Sequence, residues 1–372
     1  MQALRLSRIA TATLLCAGLL NATVRAQNPP PGVNADGSVT APAVTVPYSA
    51  LTSPEARAFF PKMLAAGSKA PPLNAPIAQS RAFYDGQNRD RAARLAKLYP
   101  VKIRSETIAG VSADVVLPAA GVAVLNRHRV LINLHGGAFL WGAHSGGLVE
   151  SIPIAAIGRI KVISVDYRQG PEYTFPAATD DVEAVYRALL GQYDPAAIGI
   201  YGCSAGGALT AQAVARFITD KLPVPGAIGT LCSSLVDLGG DSAYVAPLLN
   251  GLGVPAQPLR LSALPYFRGV DPRNPLVQPG LSPVLLAAFP PTLLITGTRD
   301  MAMSSVIHSQ QLLERAGAQA ELHVWEGMWH SFFSDPEMPE SLEAYQTIVK
   351  FFLHHLGHRS VNTRAPVMMS SG

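Results

Sequence analysis

Tyr201-Gly202-Cys203-Ser204-Ala205-Gly206-Gly207 stands between an apolar, strand-like run at 197–201 and a run at 208–218 whose apolar residues recur at helical spacing. A G-x-S-x-G pattern between a strand and a helix describes a sharp turn that lifts a serine to the tip of a sheet. Small residues on either side let the strand and helix pass close together, and the turn holds the serine backbone in a strained conformation with its hydroxyl outward. The five-residue pattern alone also arises by chance, so its meaning depends on the rest of the chain.

The rest has the matching texture. Strands are predicted at 101–108, 113–117, 130–134, 162–165, 198–201, 227–231, 292–296 and 322–325, and helices at 148–158, 177–190, 208–219, 304–316 and 341–355. Such alternation gives an α/β fold with a mostly parallel central sheet covered by helices on both faces. Two further helices, at 55–66 and 75–99, precede the sheet and are candidates for a helical cap. The stretch 238–289 between two strands is too long for an ordinary connection and reads as a lid-like insertion. The expected organisation is a signal peptide (1–26), an extended linker (27–50), cap helices (51–100), the α/β domain (101–358) and a tail (359–372).

The leader has basic residues at Arg5 and Arg8, an apolar stretch at 9–20 and small residues ending at Val24-Arg25-Ala26, so export with cleavage after Ala26 is expected. The stretch is short for a membrane span, and no later run is long and apolar enough for one. Of the formal net charge of +4, three positive charges (Arg5, Arg8, Arg25) belong to this leader. The remainder is nearly neutral and lacks a basic stripe with interleaved aromatics, which argues against nucleic acid as a partner. Oligomeric state is not legible. Cys203 and Cys232 follow or end apolar segments and are read as small buried thiols, with a disulfide as the alternative. No Cys/His cluster has zinc-like spacing, so no metal is expected.

Ligands in open α/β sheets bind beyond the carboxyl ends of the strands, and three such loops carry suggestive residues. After 130–134 comes His135-Gly136-Gly137-Ala138-Phe139, where paired glycines free backbone N–H groups for a cleft. After 292–296 comes Gly297-Thr298-Arg299-Asp300, and after 322–325 comes Glu326-Gly327-Met328-Trp329-His330. A serine hydroxyl needs a neutral imidazole to take its proton, and the imidazole needs a carboxylate to fix its tautomer. Ser204, His330 and Asp300 supply that set. His135 is expected to brace the glycine loop, His144 is a less easily dismissed rival base, and Asp335 is a rival to Asp300.

Three blocks, His135-Gly136-Gly137, then Asp166-Tyr167-Arg168 with Pro171-Glu172 and Phe175-Pro176-Ala177-Ala178, then Gly202 to Gly207, resemble the hormone-sensitive-lipase-like branch of the α/β-hydrolases over roughly 80–355. The resemblance implies Ser204 as nucleophile, Asp300 as acid, His330 as base, and an oxyanion hole from the N–H groups of Gly136, Gly137 and Ala205. Bacterial carboxylesterases, acetylhydrolases and monoterpene ε-lactone hydrolases look similar at the closing segment. The chain departs from the family in having Cys203 rather than Asp before the nucleophile, which removes a possible brace for the oxyanion loop, and Met301-Ala302 rather than Pro-Leu after the acid.

The expected chemistry is hydrolysis of small to medium apolar esters through an acyl-enzyme, with no cofactor; a lactonase, an amidase and a non-catalytic binding protein on the same fold are the alternatives. Substrate contacts are expected from Phe139 and from Tyr244, Tyr266 and Phe267 in the insertion.

Overall fold

The computed structural model describes residues 32–40 and 45–357. The expected signal peptide, parts of the linker and the 359–372 tail lie outside the described residues. Within the unit Met1–Tyr48, residues 32–40 form a two-stranded hairpin where an extended linker was predicted: β1 (Gly32–Val33) pairs antiparallel with β2 (Val39–Thr40). Its turn closes through the Ser38 N–H on the Asp36 carboxylate at 2.9 Å and a left-handed Gly37, local chemistry that suits a tight reversal.

The unit Ser49–Gly372 is built on one eight-stranded sheet in the order β10-β9-β8-β7-β5-β6-β4-β3. The strands are β3 (Val101–Ile108), β4 (Val111–Pro118), β5 (Val130–Leu134), β6 (Lys161–Val165), β7 (Ile198–Cys203), β8 (Ala227–Leu231), β9 (Thr292–Arg299) and β10 (Ala320–Trp329). Only β4 runs against the others, since it pairs antiparallel with both β3 and β6 while the remaining pairs are parallel. Strands β5, β7 and β8 are buried along their whole length, as near-continuous apolar runs covered on both faces must be. Edge strand β3 carries exposed Lys102 and Arg104 and half-buried Glu106, charges that discourage pairing with another chain.

Helices fill both faces. Ala177–Leu190 turns Ala178, Val182, Val185, Tyr186 and Leu189 inward and places the Glu183–Arg187 pair on its polar side, the 3.6-residue stripe of an amphipathic helix. Gly146–Gly158 is buried over most of its length and packs against Ile77–Leu98, β4 and β6. The insertion holds the helix Ser242–Leu249, the short helix Pro283–Leu286 and three 3₁₀ turns.

Chain order reverses at β5, which has β6 on one side and β7 on the other. Such a reversal opens a crevice at the carboxyl ends of the strands, and the loops after β5 and β7 both enter it. The approach is close: a Cβ on Gly202 would lie 2.1 Å from the Leu134 carbonyl oxygen, and one on Gly206 only 1.7 Å from the same atom. Gly206→Ala is therefore expected to destabilise the fold by at least about 3 kcal/mol, at the upper end of overpacking costs because backbone rather than a movable side chain is struck. A urea midpoint equal to that of the unsubstituted protein would contradict this.

Candidate active site

Ser204 follows β7 directly, with φ 57° and ψ −122°. Left-handed backbone of this kind is strained for a residue with a Cβ and is maintained by its surroundings; here the Ser204 N–H is held by the Leu231 carbonyl at 2.8 Å. The strand runs two residues further than its apolar pattern predicted, so the serine sits at its very end.

His330 comes one residue after β10 and Asp300 one residue after β9. Both strands extend beyond their predicted ends, with a register shift between Trp325 and Trp329 where the Gly327 N–H donates to Thr298 Oγ1 at 2.7 Å. His330 Nε2 lies 2.9 Å from Ser204 Oγ, and His330 Nδ1 lies 2.8 Å from Asp300 Oδ1. Asp300 is fully buried and also accepts the Ala302 N–H at 2.9 Å on Oδ1 and the Thr296 hydroxyl at 3.0 Å on Oδ2.

These surroundings tune both groups. Burial pushes the Asp300 carboxyl up, but the His330 charge and the converging donors outweigh it and hold the net pKa below the usual carboxylate range. For His330, burial pulls down while the Asp300 charge and hydrogen bond pull up, and the net pKa is raised. The ionised carboxylate thus orders the imidazole with Nδ1–H toward Asp300 and the Nε2 lone pair toward the serine.

The loop after β5 turns through positive φ at Gly137, Ala138 and Phe139. Gly137, Ala138 and Ala205 line a cleft of about 720 Å³ together with Ser204 and His330, and no acceptor among the described residues takes their N–H groups. Gly136 differs from its predicted use. Its N–H is taken by Glu150 Oε1 at 2.9 Å, whereas the Ala138 N–H next along the loop from Gly137 has no acceptor among the described residues. Glu150 is buried in Gly146–Gly158, and burial pushes its carboxyl up to about 8, against the three donors that converge on it.

A family model described as the α/β-hydrolase fold matches residues 131–334. The chain belongs to the α/β-hydrolase family. Among its relatives are an acetyl-hydrolase of Streptomyces hygroscopicus, 29% identical over 226 residues that cover 60% of this chain and 75% of the relative, and an esterase of Acinetobacter venetianus, 27% identical over 267 residues that cover 69% and 85%. A crystallised esterase superimposes with a TM-score of 0.76 at 30% identity, covering 86% of this chain and 99% of the other. A crystallised esterase from the bacterial hormone-sensitive lipase family gives 0.71 at 25% identity, covering 82% and 99%. The branch suggested by the three motif blocks is thus also found among solved structures, and this α/β-hydrolase is an enzyme.

Of the four substrate contacts predicted for the hydrolase, only Phe139 lines the cleft. Tyr266 stacks on Phe139 at 5.0 Å and its hydroxyl accepts the Ala178 N–H at 2.7 Å, so it is a fully buried strut of the core. Phe267 is wedged between Phe139 and Phe175. Tyr244 faces outward on Ser242–Leu249 and is 38% exposed. Aromatic content alone marks neither the face nor the depth of a side chain.

Tyr84, Gln87, Asn88 and Arg91 of Ile77–Leu98 form the wall that the sequence did not single out; their i, i+3, i+4, i+7 spacing is one helix face. Tyr84 stacks on Trp141 at 4.3 Å. Leu238, Leu259, Leu261 and Leu264 of the insertion, with Val236 and Met301, add apolar surface.

The rival groups are committed elsewhere. His144 pairs with Asp166 at 2.7 Å and is exposed; Asp114 lies close to this pair and accepts from Ser105 Oγ at 2.6 Å. Asp335 accepts from Arg91 and Arg94. His135 is fully buried, stacks on Tyr167 at 4.3 Å and donates Nδ1–H to the Gly136 carbonyl at 2.8 Å; burial lowers its pKa to about 4, so it stays neutral. Cys203 and Cys232 are free, buried thiols; Ser331 Oγ lies 2.8 Å from Cys203 Sγ, and the Ser331 N–H donates to Cys232 Sγ at 3.3 Å. Among the described residues, no helix is long and apolar enough to cross a membrane.

Proposed function

We propose that the chain is a serine carboxylic-ester hydrolase that works through an acyl-enzyme, with Ser204 as nucleophile, His330 as base and acid, and Asp300 as the orienting carboxylate. The observation that carries this reading is the row from Asp300 Oδ1 through His330 to Ser204 Oγ, with separations of 2.8 and 2.9 Å, opening on the cleft. Ser204 Oγ attacks the ester carbonyl while its proton passes to His330 Nε2. The carbonyl oxygen takes the negative charge and is held by the N–H groups of Gly137, Ala138 and Ala205. His330 then protonates the departing alcohol, and water repeats the cycle to release the acid.

The cleft volume lies in the range of sites for small organic ligands, and the greater part of its wall is apolar, with Gln87, Asn88, Arg91, Asp237, Gln257 and several serines as polar positions. Small to medium uncharged esters suit it, with Ile77–Leu98 and the insertion acting as the cover. A fluorophosphonate probe, followed by peptide mass spectrometry, is expected to place one adduct on Ser204, and p-nitrophenyl esters from C2 to C16 are expected to give their highest kcat/KM below C10. Absence of the adduct defeats the serine reading. Faster turnover of lactones or anilides than of matched esters keeps the mechanism and reassigns the substrate.

A further inference from the structure

We propose that Glu150 is a positioning residue for the oxyanion site, its carboxylate tying the loop after β5 to the end of β7 so that the N–H groups on both sides of Ser204 keep their spacing. The inference rests on the serine reading above and adds a residue from an element that carries none of the reacting groups.

Glu150 is the only charged side chain of Gly146–Gly158, and no ion pair to it is found among the described residues. A carboxylate buried without a cation costs several kcal/mol unless hydrogen bonds replace its water. Every polar group that meets it is a donor. Oε1 accepts the Gly136 N–H at 2.9 Å; Oε2 accepts Asn133 Nδ2–H at 2.9 Å and the Cys203 N–H at 3.1 Å. Gly136 opens the loop that continues into Gly137 and Ala138, and Cys203 immediately precedes Ser204. One carboxylate therefore touches both walls of the site, and it needs both of its oxygens as acceptors to do so. A fixed separation of donors matters because preorganised dipoles stabilise a developing oxyanion without reorganising during the reaction.

Glu150→Gln keeps the shape and removes one acceptor. If the amide nitrogen replaces Oε1, it faces the Gly136 N–H. If it replaces Oε2, Asn133 can turn its amide to accept, because its other partner is a hydroxyl, Ser164 Oγ at 3.1 Å, but the Cys203 N–H still faces a donor. In either orientation one wall is released.

The test compares E150Q with the unsubstituted protein in p-nitrophenyl butyrate hydrolysis and in inhibition by an alkyl trifluoromethyl ketone, both at about pH 9, where the Glu150 carboxyl, pushed up to about 8 by burial, is ionised. The ketone is attacked by Ser204 Oγ: an O–C bond forms, the carbonyl π electrons become the oxyanion, and the serine proton moves to His330 Nε2, so no atom leaves. E150Q is expected to lower kcat by about 10- to 100-fold, less than the loss of a whole donor, with KM within about threefold and the ketone Ki rising in step with the fall in kcat. A role confined to folding would lower the melting temperature and leave kcat and Ki of the folded protein unchanged, which overturns the proposal, as does a fall in kcat with unaltered ketone affinity. Should E150Q fail to fold, E150D keeps the charge but is one methylene too short to reach both walls; it is expected to show the same paired change, and wild-type kcat and Ki in E150D overturn the proposal. If the ketone does not inhibit the unsubstituted protein, the serine reading itself fails; if it inhibits that protein and E150Q equally, only the Glu150 assignment falls.

Discussion

Ser204→Ala is expected to remove nearly all turnover of p-nitrophenyl butyrate, lowering kcat by about 10⁶-fold, the scale seen when the nucleophile of such a set is deleted. The protein itself should barely notice. Alanine keeps the Cβ, so the left-handed backbone at 204 is neither relieved nor worsened, and the Ser204 N–H keeps its bond to the Leu231 carbonyl. What disappears is one hydroxyl whose proton is held by His330 Nε2 at 2.9 Å. His330 retains Asp300 on its other side, and its freed nitrogen faces a cleft open to water. The melting temperature should therefore stay within about 2 °C, since surface-accessible changes of this kind usually cost less than about 0.5 kcal/mol. The residual rate should remain above that of the uncatalysed reaction, because the cleft and the N–H donors still bind and polarise an ester. A folded S204A that hydrolyses the ester within tenfold of the unsubstituted rate would place the nucleophile elsewhere.

That result would bear on a feature the amino-acid sequence displays with unusual clarity. Strands β5 and β8 coincide with their predicted limits, because in a sheet covered on both faces the strands are short apolar runs bounded by polar or turn residues. The order of serine, aspartate and histidine could be read for the same reason: each follows such a run, and the ends of parallel strands converge. The strand ends near the site were less legible. Arg299 and Trp329 belong to β9 and β10 although glycines precede them, since Gly297 is small to admit the Met328 carbonyl, 2.2 Å from where its Cβ would stand, and not to end the strand.

Side-chain depth was the weakest part. Tyr266 and Tyr84 look alike in sequence; one is locked under Ala178 and the other stacks on Trp141 beside the cleft. Glu150 was invisible for a different reason. In an apolar helical run, a single glutamate reads as a solvated position, and two of its three partners are backbone N–H groups 14 and 53 residues away, which leave no trace in residue types. The same blindness assigned the Gly136 N–H to the cleft. Cys203 suggested that the loop would lack a brace at that position; its side chain supplies none, while its backbone N–H shares one with Gly136 through Glu150.

The second large effect concerns Asp300, and here the hydrogen-bond geometry separates two substitutions that are often treated alike. Asp300→Ala is expected to cost about 10⁴-fold in kcat, the scale found for the carboxylate of such a row, and also to lower stability by about 1–3 kcal/mol, because the buried Ala302 N–H and Thr296 hydroxyl lose their acceptor. Asp300→Asn should be gentler on both counts. The Ala302 N–H and His330 Nδ1 address the same oxygen, Oδ1, so an asparagine is pinned with its carbonyl oxygen there and its amide toward Thr296 Oγ1, which can accept. The histidine tautomer needed for catalysis survives, and what is lost is the charge that stabilises the imidazolium. We expect D300N to retain at least about tenfold more activity than D300A, a smaller loss than the roughly 10⁴-fold expected of an asparagine that imposes the wrong tautomer. The pH profile gives the independent readout. His330 must be neutral to act as base, and its pKa is raised by Asp300 against the pull of burial; activity in the unsubstituted protein should thus fall as pH drops through a midpoint above the ordinary 6.5 of histidine. With the charge removed, only the hydrogen bond to the asparagine oxygen still opposes burial, and the acidic limb of kcat/KM in D300N should move to lower pH. A midpoint that stays in place, in a variant shown to be folded across the range, would mean that Asp300 does not set the proton affinity of His330, and the orienting role would pass to another group.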